Sequence, residues 1–123
     1  MDVRHTYPFE KLRVWQAARE LVKKVYTVTR KFPRAEIYGF TSQTNRAAVS
    51  VAANLAEGSS RISRKDQAHF SEIAYSSLME LACLAILAVD LEFLPLSEES
   101  KLREEIESVS RQLNALRTAQ VAS

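Results

Sequence analysis

Apolar residues recur at helical spacing along four stretches of the chain, and short breaks separate them. On a projection of about 100° per residue, Val14, Trp15, Ala18, Leu21, Val22, Val25, Tyr26, Val28 and Phe32 share one half of a first predicted helix, 9–32. Pro33 ends it, because proline has no N–H to donate and disfavours helix at the residue before it. A second helix is expected over 40–60, with Gly58 placed to serve as a C-terminal cap. Ser63 and Asp66 have the S-x-x-D spacing of a capping box and open a third helix, 64–93, stopped before Pro95. Ser97 is expected to cap a fourth, 98–119, with Glu98 and Glu99 at its positive end. Short connections between long helices imply antiparallel neighbours. The pattern therefore predicts an all-α, up-down-up-down four-helix bundle occupying a single domain, 1–123.

The four helices are not alike. The first has one apolar half, and the fourth carries a narrow seam of Leu102, Ile106, Val109, Leu113 and Leu116. On the second, Gln43, Arg46, Ser50, Asn54 and Glu57 make a polar stripe within roughly an 80° arc, and most of the remaining circumference is apolar. The third is apolar on every side from Leu81 to Val89. A helix of an isolated bundle leaves about half its surface wet, so one that is apolar all round must be covered by something else. The economical cover is another copy of the chain, and a homo-oligomer is expected.

Composition narrows the class. Two glycines and three prolines among 123 residues favour long helices over turn-rich β structure. The lone Cys83 excludes an intrachain disulfide and, with its apolar neighbours, reads as a core residue. Met1 to His5 lacks the apolar stretch of a signal peptide, and the nine-residue run Leu81 to Val89 is short for a membrane span, so a cytoplasmic protein with no membrane partner is expected. Charge is divided unevenly. Residues 1–65 hold 13 Lys and Arg against 5 Asp and Glu, and residues 66–123 hold 4 against 10, so halves of +8 and −6 give the net +2. Either the halves neutralise each other, within the bundle or between subunits, or one face is open to a polyanion.

The sharpest chemical feature is the outer face of the first helix, where Arg13, Arg19, Lys23, Lys24, Arg30 and Lys31 project away from the apolar half, with Lys11 and Arg34 extending the patch. Cations in such a row can neutralise successive phosphates, or simply solvate the helix. Nothing resembles a base-reading element, so nucleic-acid binding would be led by shape and charge. Arg46, Asn54 and Glu57 on the second helix, with Glu80 on the third as a partner for Arg46, read as a structural polar network rather than an acid/base pair, because no histidine or second carboxylate stands with them. His5 and His69 are isolated, no residues have metal-ligand spacing, and no enzyme activity, metal or cofactor is expected. Trp15 lies on the core side and reads as packing.

These residues also carry a resemblance. Phe9-Glu10-Lys11-Leu12-Arg13-Val14-Trp15-Gln16-Ala17-Ala18, Phe32-Pro33, Tyr38-Gly39-Phe40, Arg46-Ala47-Ala48-Val49-Ser50, Asn54-Leu55-Ala56-Glu57-Gly58 and Ser63 through Asp66 to Phe70 resemble the 23S rRNA intervening-sequence proteins over about residues 9–94. The resemblance implies a four-helix bundle assembled as a homopentameric ring, with no enzymatic activity attached. Accessory proteins of diversity-generating retroelements are similar, and there a basic pentamer binds nucleic acid and a reverse transcriptase. Asn45 departs from the pattern, standing where a second arginine is usual beside Arg46, and Ser76 stands where glycine is common, implying a looser helix approach. The expectation is an oligomer that binds structured RNA through the first helix. The rival expectation is a scaffold that docks a partner protein.

Overall fold

The computed structural model describes residues 4–122, so the reading made of Met1, Asp2 and Val3 falls outside the described part. The chain is all-helical, with α1 Arg13–Thr29, α2 Phe40–Ser59, α3 Arg64–Asp90 and α4 Leu96–Val121, and no strand occurs among the described residues. Each helix packs on its neighbours in sequence, and α4 closes back onto α1.

The first predicted helix is divided. Pro8 suits an opening position, and the chain makes a separate 3-10 turn, Pro8–Lys11, in which the Tyr7 N–H donates to Glu10 Oε2 at 2.7 Å. Leu12 is extended, and α1 starts after it, tied back by Gln16 Nε2 donating to the Glu10 carbonyl at 2.8 Å. The α1 terminus is likewise shorter than expected. Helical geometry stops at Thr29, and two tight turns carry the chain to Phe32, where Lys31 N–H reaches the Val28 carbonyl and Phe32 N–H the Thr29 carbonyl.

One core runs through all four helices, with Leu21, Val25, Val51, Leu78, Leu81, Leu102, Val109 and Leu113 at its centre. A second cluster closes one end: Phe32, Phe40 and Phe93 meet pairwise at centroid distances of 5.6–6.0 Å over Val28, Ala88 and Leu94. This ties the end of α1 to the start of α2 and the end of α3.

The packing of α2 on α3 rests on small residues. Ala47, Ala48 and Ala74 are buried, and Ser50 and Ser77 hydroxyls meet at 2.7 Å. Gly58 belongs to this contact and is not the C-cap its position suggested. It lies inside α2 with an ordinary φ, and a Cβ there would stand 2.9 Å from the Phe70 Cβ. Ser76, by contrast, faces outward and takes no part in the helix approach.

The α3–α4 corner also departs from expectation. Ser63 does cap α3, accepting from the Asp66 N–H at 3.1 Å. At the other end α3 stops at Asp90, and Glu92 adopts a left-handed conformation (φ 65°). The Phe93 N–H then bonds the Ala88 carbonyl at 2.8 Å and the Glu92 N–H bonds the Val89 carbonyl at 3.0 Å, a Schellman ending made without glycine. α4 begins two residues before the expected position because Pro95, not Ser97, is the N-cap, its carbonyl accepting from the Glu98 and Glu99 N–H groups.

Burial is uneven on the outside. Val49 on α2 and Met79, Cys83, Ile86 and Leu87 on α3 are exposed, Ile86 and Leu87 by 45% and 41%. Cys83 is therefore not a core residue. Leu81, Leu84, Ala85 and Ala88 occupy the inward side of α3, and Cys83 falls on the opposite one. The nine-residue apolar run also understates α3. An 18-residue window of it has mean hydropathy 1.7, enough by length and composition to cross a membrane, with 33% of that window buried in the bundle. A core helix that packs on two neighbours meets the same measure.

Two substitutions test this account of the backbone. Gly58→Ala should destabilise the chain by about 1 kcal/mol, because overpacking against Phe70 outweighs the roughly 1 kcal/mol gain in helix propensity. Glu92→Gly should stabilise it by about 1 kcal/mol by relieving the left-handed strain. Both are read from chemical denaturation midpoints, and a reversed sign at either position rejects the corresponding assignment.

Candidate nucleic-acid interface

Burial of Val14, Ala18, Leu21, Val25 and Val28 along one side of α1 turns the cations between them outward. Arg13, Arg19, Lys23, Arg30, Lys31 and Arg34 are exposed, as is Lys11, and Lys24 is half-buried at the edge of α4. They spread along about 25 Å of helix and the turn that follows. Lys23 pairs with Glu20 at 3.0 Å, and Lys24 crosses to Glu105 on α4 at 3.2 Å. The Arg19 guanidinium lies 5.5 Å from the Trp15 ring centroid, on a side chain that is half-buried and touched edge-on by Phe9 at 4.9 Å. Among the described residues, Arg13, Arg30, Lys31 and Arg34 make no ion pair.

The division of charge therefore persists in the fold. Lys24–Glu105 is the one ion pair, among the described residues, that joins the basic first half to the acidic second. An exposed or half-exposed pair of this kind contributes roughly 0–1 kcal/mol, too little to hold the two halves as a neutralised unit.

At the downstream end of this face, Arg30 and Arg34 share a cavity of ≈ 450 Å³ with Tyr26, Thr29, Thr41 and Asn45. Thr29 is buried and donates through Oγ1 to Asn45 Oδ1 at 2.8 Å. Asn45 is thus more than a missing cation: it joins α2 to α1. Thr41 did not stand out in the sequence, and Asn45 did so only as a departure from the family pattern, although their four-residue spacing places both on the face of α2 that meets the end of α1.

The polar residues of α2 form separate links instead of one network. Asn54 donates to the Ser50 hydroxyl at 3.0 Å and to its carbonyl at 2.8 Å, and Ser50 meets Ser77. Glu80 accepts from Gln43 at 3.4 Å, not from Arg46. Arg46 and Glu57 are exposed, and their side chains have no hydrogen bond or ion pair among the described residues. The reason is burial. The stripe opens onto water, so these two charges need no internal partner. Arg46, Gln43 and Glu80 instead border a shallow cavity with Tyr38, itself 97% exposed. His5 and His69 stay apart, in ring contact with Tyr7 and Phe70, and no group of three metal-ligating side chains forms among the described residues.

A family model described as 23S rRNA-intervening sequence protein matches residues 10–115. A crystal structure described as a protein of unknown function from the S23 ribosomal protein family of Bacteroides thetaiotaomicron superposes with a TM-score of 0.76. It is 18% identical, and the match covers 85% of this chain and 97% of that one, so the likeness speaks for the fold. No curated protein matches the sequence.

Proposed function

The chain belongs to the 23S rRNA-intervening sequence protein family, and from that premise we propose that it is a non-enzymatic cytoplasmic protein that assembles as a ring, of five copies by its resemblance, and binds structured RNA along α1. The observation that carries this reading is the outer face of α1 and the turn after it, with seven cations from Arg13 to Arg34, of which Arg13, Arg19, Arg30, Lys31 and Arg34 make no ion pair among the described residues.

The helices run antiparallel in this reading. Gln43 touches Glu80 while Ser50 touches Ser77, so α2 advances as α3 retreats. Ser71 bonds Gln120 and Glu72 lies near Arg117, which gives the same sense to α3 and α4. The exposed apolar stripe of Met79, Cys83, Ile86 and Leu87 on one face of α3 supports assembly, because an apolar surface of this kind favours removal from water. A copy docked there leaves α1 open, since α1 packs on α2 and α4 and not on α3. Each copy then presents the same cationic row, and repetition raises avidity without strong contacts in any one subunit.

Two measurements bear on these claims. In a salt series with a structured RNA, affinity should fall steeply with ionic strength, and Arg19→Glu, Lys23→Glu and Lys31→Glu together should weaken all sequences alike by about 100-fold or more. Undetectable binding at low salt would reject the RNA role and favour a scaffold that docks a partner protein. In sedimentation at micromolar concentration the chain should run well above its 13.9 kDa, and Leu87→Glu should shift it to single subunits while Cys83 gains reactivity toward a thiol reagent. A native chain that stays a single subunit would remove the ring.

A further inference from the structure

The cavity where α1 turns into α2 has the chemistry of an oxyanion site. Arg30 follows the last residue of α1, and Arg34 opens the 3-10 turn Arg34–Glu36 after Pro33, so the sharp turn between them brings both arginines to the lining of one cavity. Neither has an ion-pair partner among the described residues, and no carboxylate lines the cavity. On the inner wall, Thr41 Oγ1 is fully covered and has no hydrogen-bond partner. That is unusual for a helical threonine, and Thr44 in the same helix donates to the Phe40 carbonyl at 2.8 Å. A buried hydroxyl left unpaired is costly, and a ligand oxygen met by a rotation of the Thr41 side chain toward the cavity would relieve that cost.

Asn45 adds direction. Its Oδ1 is engaged by Thr29, so the amide orientation is set and both Nδ2 hydrogens remain to be donated. The cavity also stands at the start of α2, a 20-residue helix whose N-cap, Gly39, supplies no side-chain acceptor. One carboxylate lies close by: Glu36 Oε1 takes the Phe40 N–H at 3.4 Å, outside the cavity lining. Three of the last four carbonyls of α1, which would repel an anion, are already engaged. Tyr26 O accepts from Arg30 N–H, Val28 O from Lys31 N–H, and Thr29 O from Phe32 N–H.

We propose that the cavity formed by Arg30, Arg34, Thr41 and Asn45 binds a phosphate ester group of RNA. This rests on the RNA-binding reading and narrows it, from a row of dispersed charges to one built pocket. The volume of ≈ 450 Å³ falls among those of small-ligand sites, about 300–1,000 Å³, so it takes a phosphate together with the sugar it esterifies. Two guanidinium groups can each present a pair of parallel donors to phosphate oxygens, and the hydroxyl and amide supply donors from the opposite wall. The phosphate is either a strand terminus or an internal diester, and the pocket chemistry is common to both.

The test uses one short structured RNA in 5′-phosphorylated and 5′-hydroxyl forms, titrated against the full chain at fixed salt. Thr41→Val removes the hydroxyl at constant shape and should lower RNA affinity roughly threefold to tenfold without loss of thermal stability. Arg30→Gln with Arg34→Gln should lower it at least about tenfold and reduce the salt slope by about 2. A loss confined to the phosphorylated strand identifies a terminal phosphate, and an equal loss for both identifies a diester. If the native chain binds RNA but Thr41→Val and the double arginine variant bind it equally well, the pocket is overturned and the general RNA role stands. If the native chain binds neither RNA, inorganic phosphate becomes the probe: a rise in melting temperature in the native chain that Thr41→Val abolishes keeps the pocket, and no rise overturns it.

Discussion

The close approach of α2 and α3 governs the rest of the molecule. Alanines at 47, 48 and 74, a glycine at 58 and paired serines at 50 and 77 let two long helices come nearer than leucine-lined surfaces would allow. Small side chains bury little area each, so the pair gains its cohesion from length and from the leucines that α3 contributes to the shared core. Dense contact on one side does not use up the apolar character of either helix. What remains appears on the outside as Val49, Met79, Ile86 and Leu87. The geometry that makes one chain compact also leaves it with a surface suited to a neighbour.

Much of this was legible in sequence because periodicity reports on burial. The four helices, the Ser63 cap and the outward cations of α1 follow from spacing alone. Where the reading failed, a local rule met a competing contact. Gly58 looked like a terminator because glycine often ends helices, but its proximity to Phe70 is visible only once α2 and α3 are placed together. Ser97 looked like a cap, yet the Pro95 carbonyl took that position first. Cys83 looked buried because its sequence neighbours are apolar, and an all-round apolar helix does not reveal which side faces inward.

The candidate site divides in the same way. A row of like charges on one face is a one-dimensional signal and survives projection, so Arg13 through Arg34 could be found without coordinates. The cavity beneath Arg30 and Arg34 depends on two residues of α2, Thr41 and Asn45, reaching the end of α1. Nothing marks Thr41, and Asn45 was marked only as a break in the family pattern, since threonine and asparagine are ordinary on a helix surface. The expected Arg46–Glu80 contact shows the converse. Opposite charges on adjacent helices suggested a pair, but both sit at a wet edge where a neutral amide from Gln43 serves as well.

The scarcity of ionic links between the two halves, among the described residues, has an electrical consequence. All but Arg64 and Lys65 of the thirteen cations in residues 1–65 precede α3, and the ten anions of residues 66–123 lie on α3, α4 and the turn between them, with Lys24–Glu105 bridging the two sets, so the chain behaves as a permanent dipole despite its small net charge. Such a body experiences a torque in the field of a polyelectrolyte and arrives already turned, cationic side leading, before any contact forms. Orientation during approach is then set by the layout of the fold itself, at distances up to about the 8–10 Å over which physiological salt lets charges be felt.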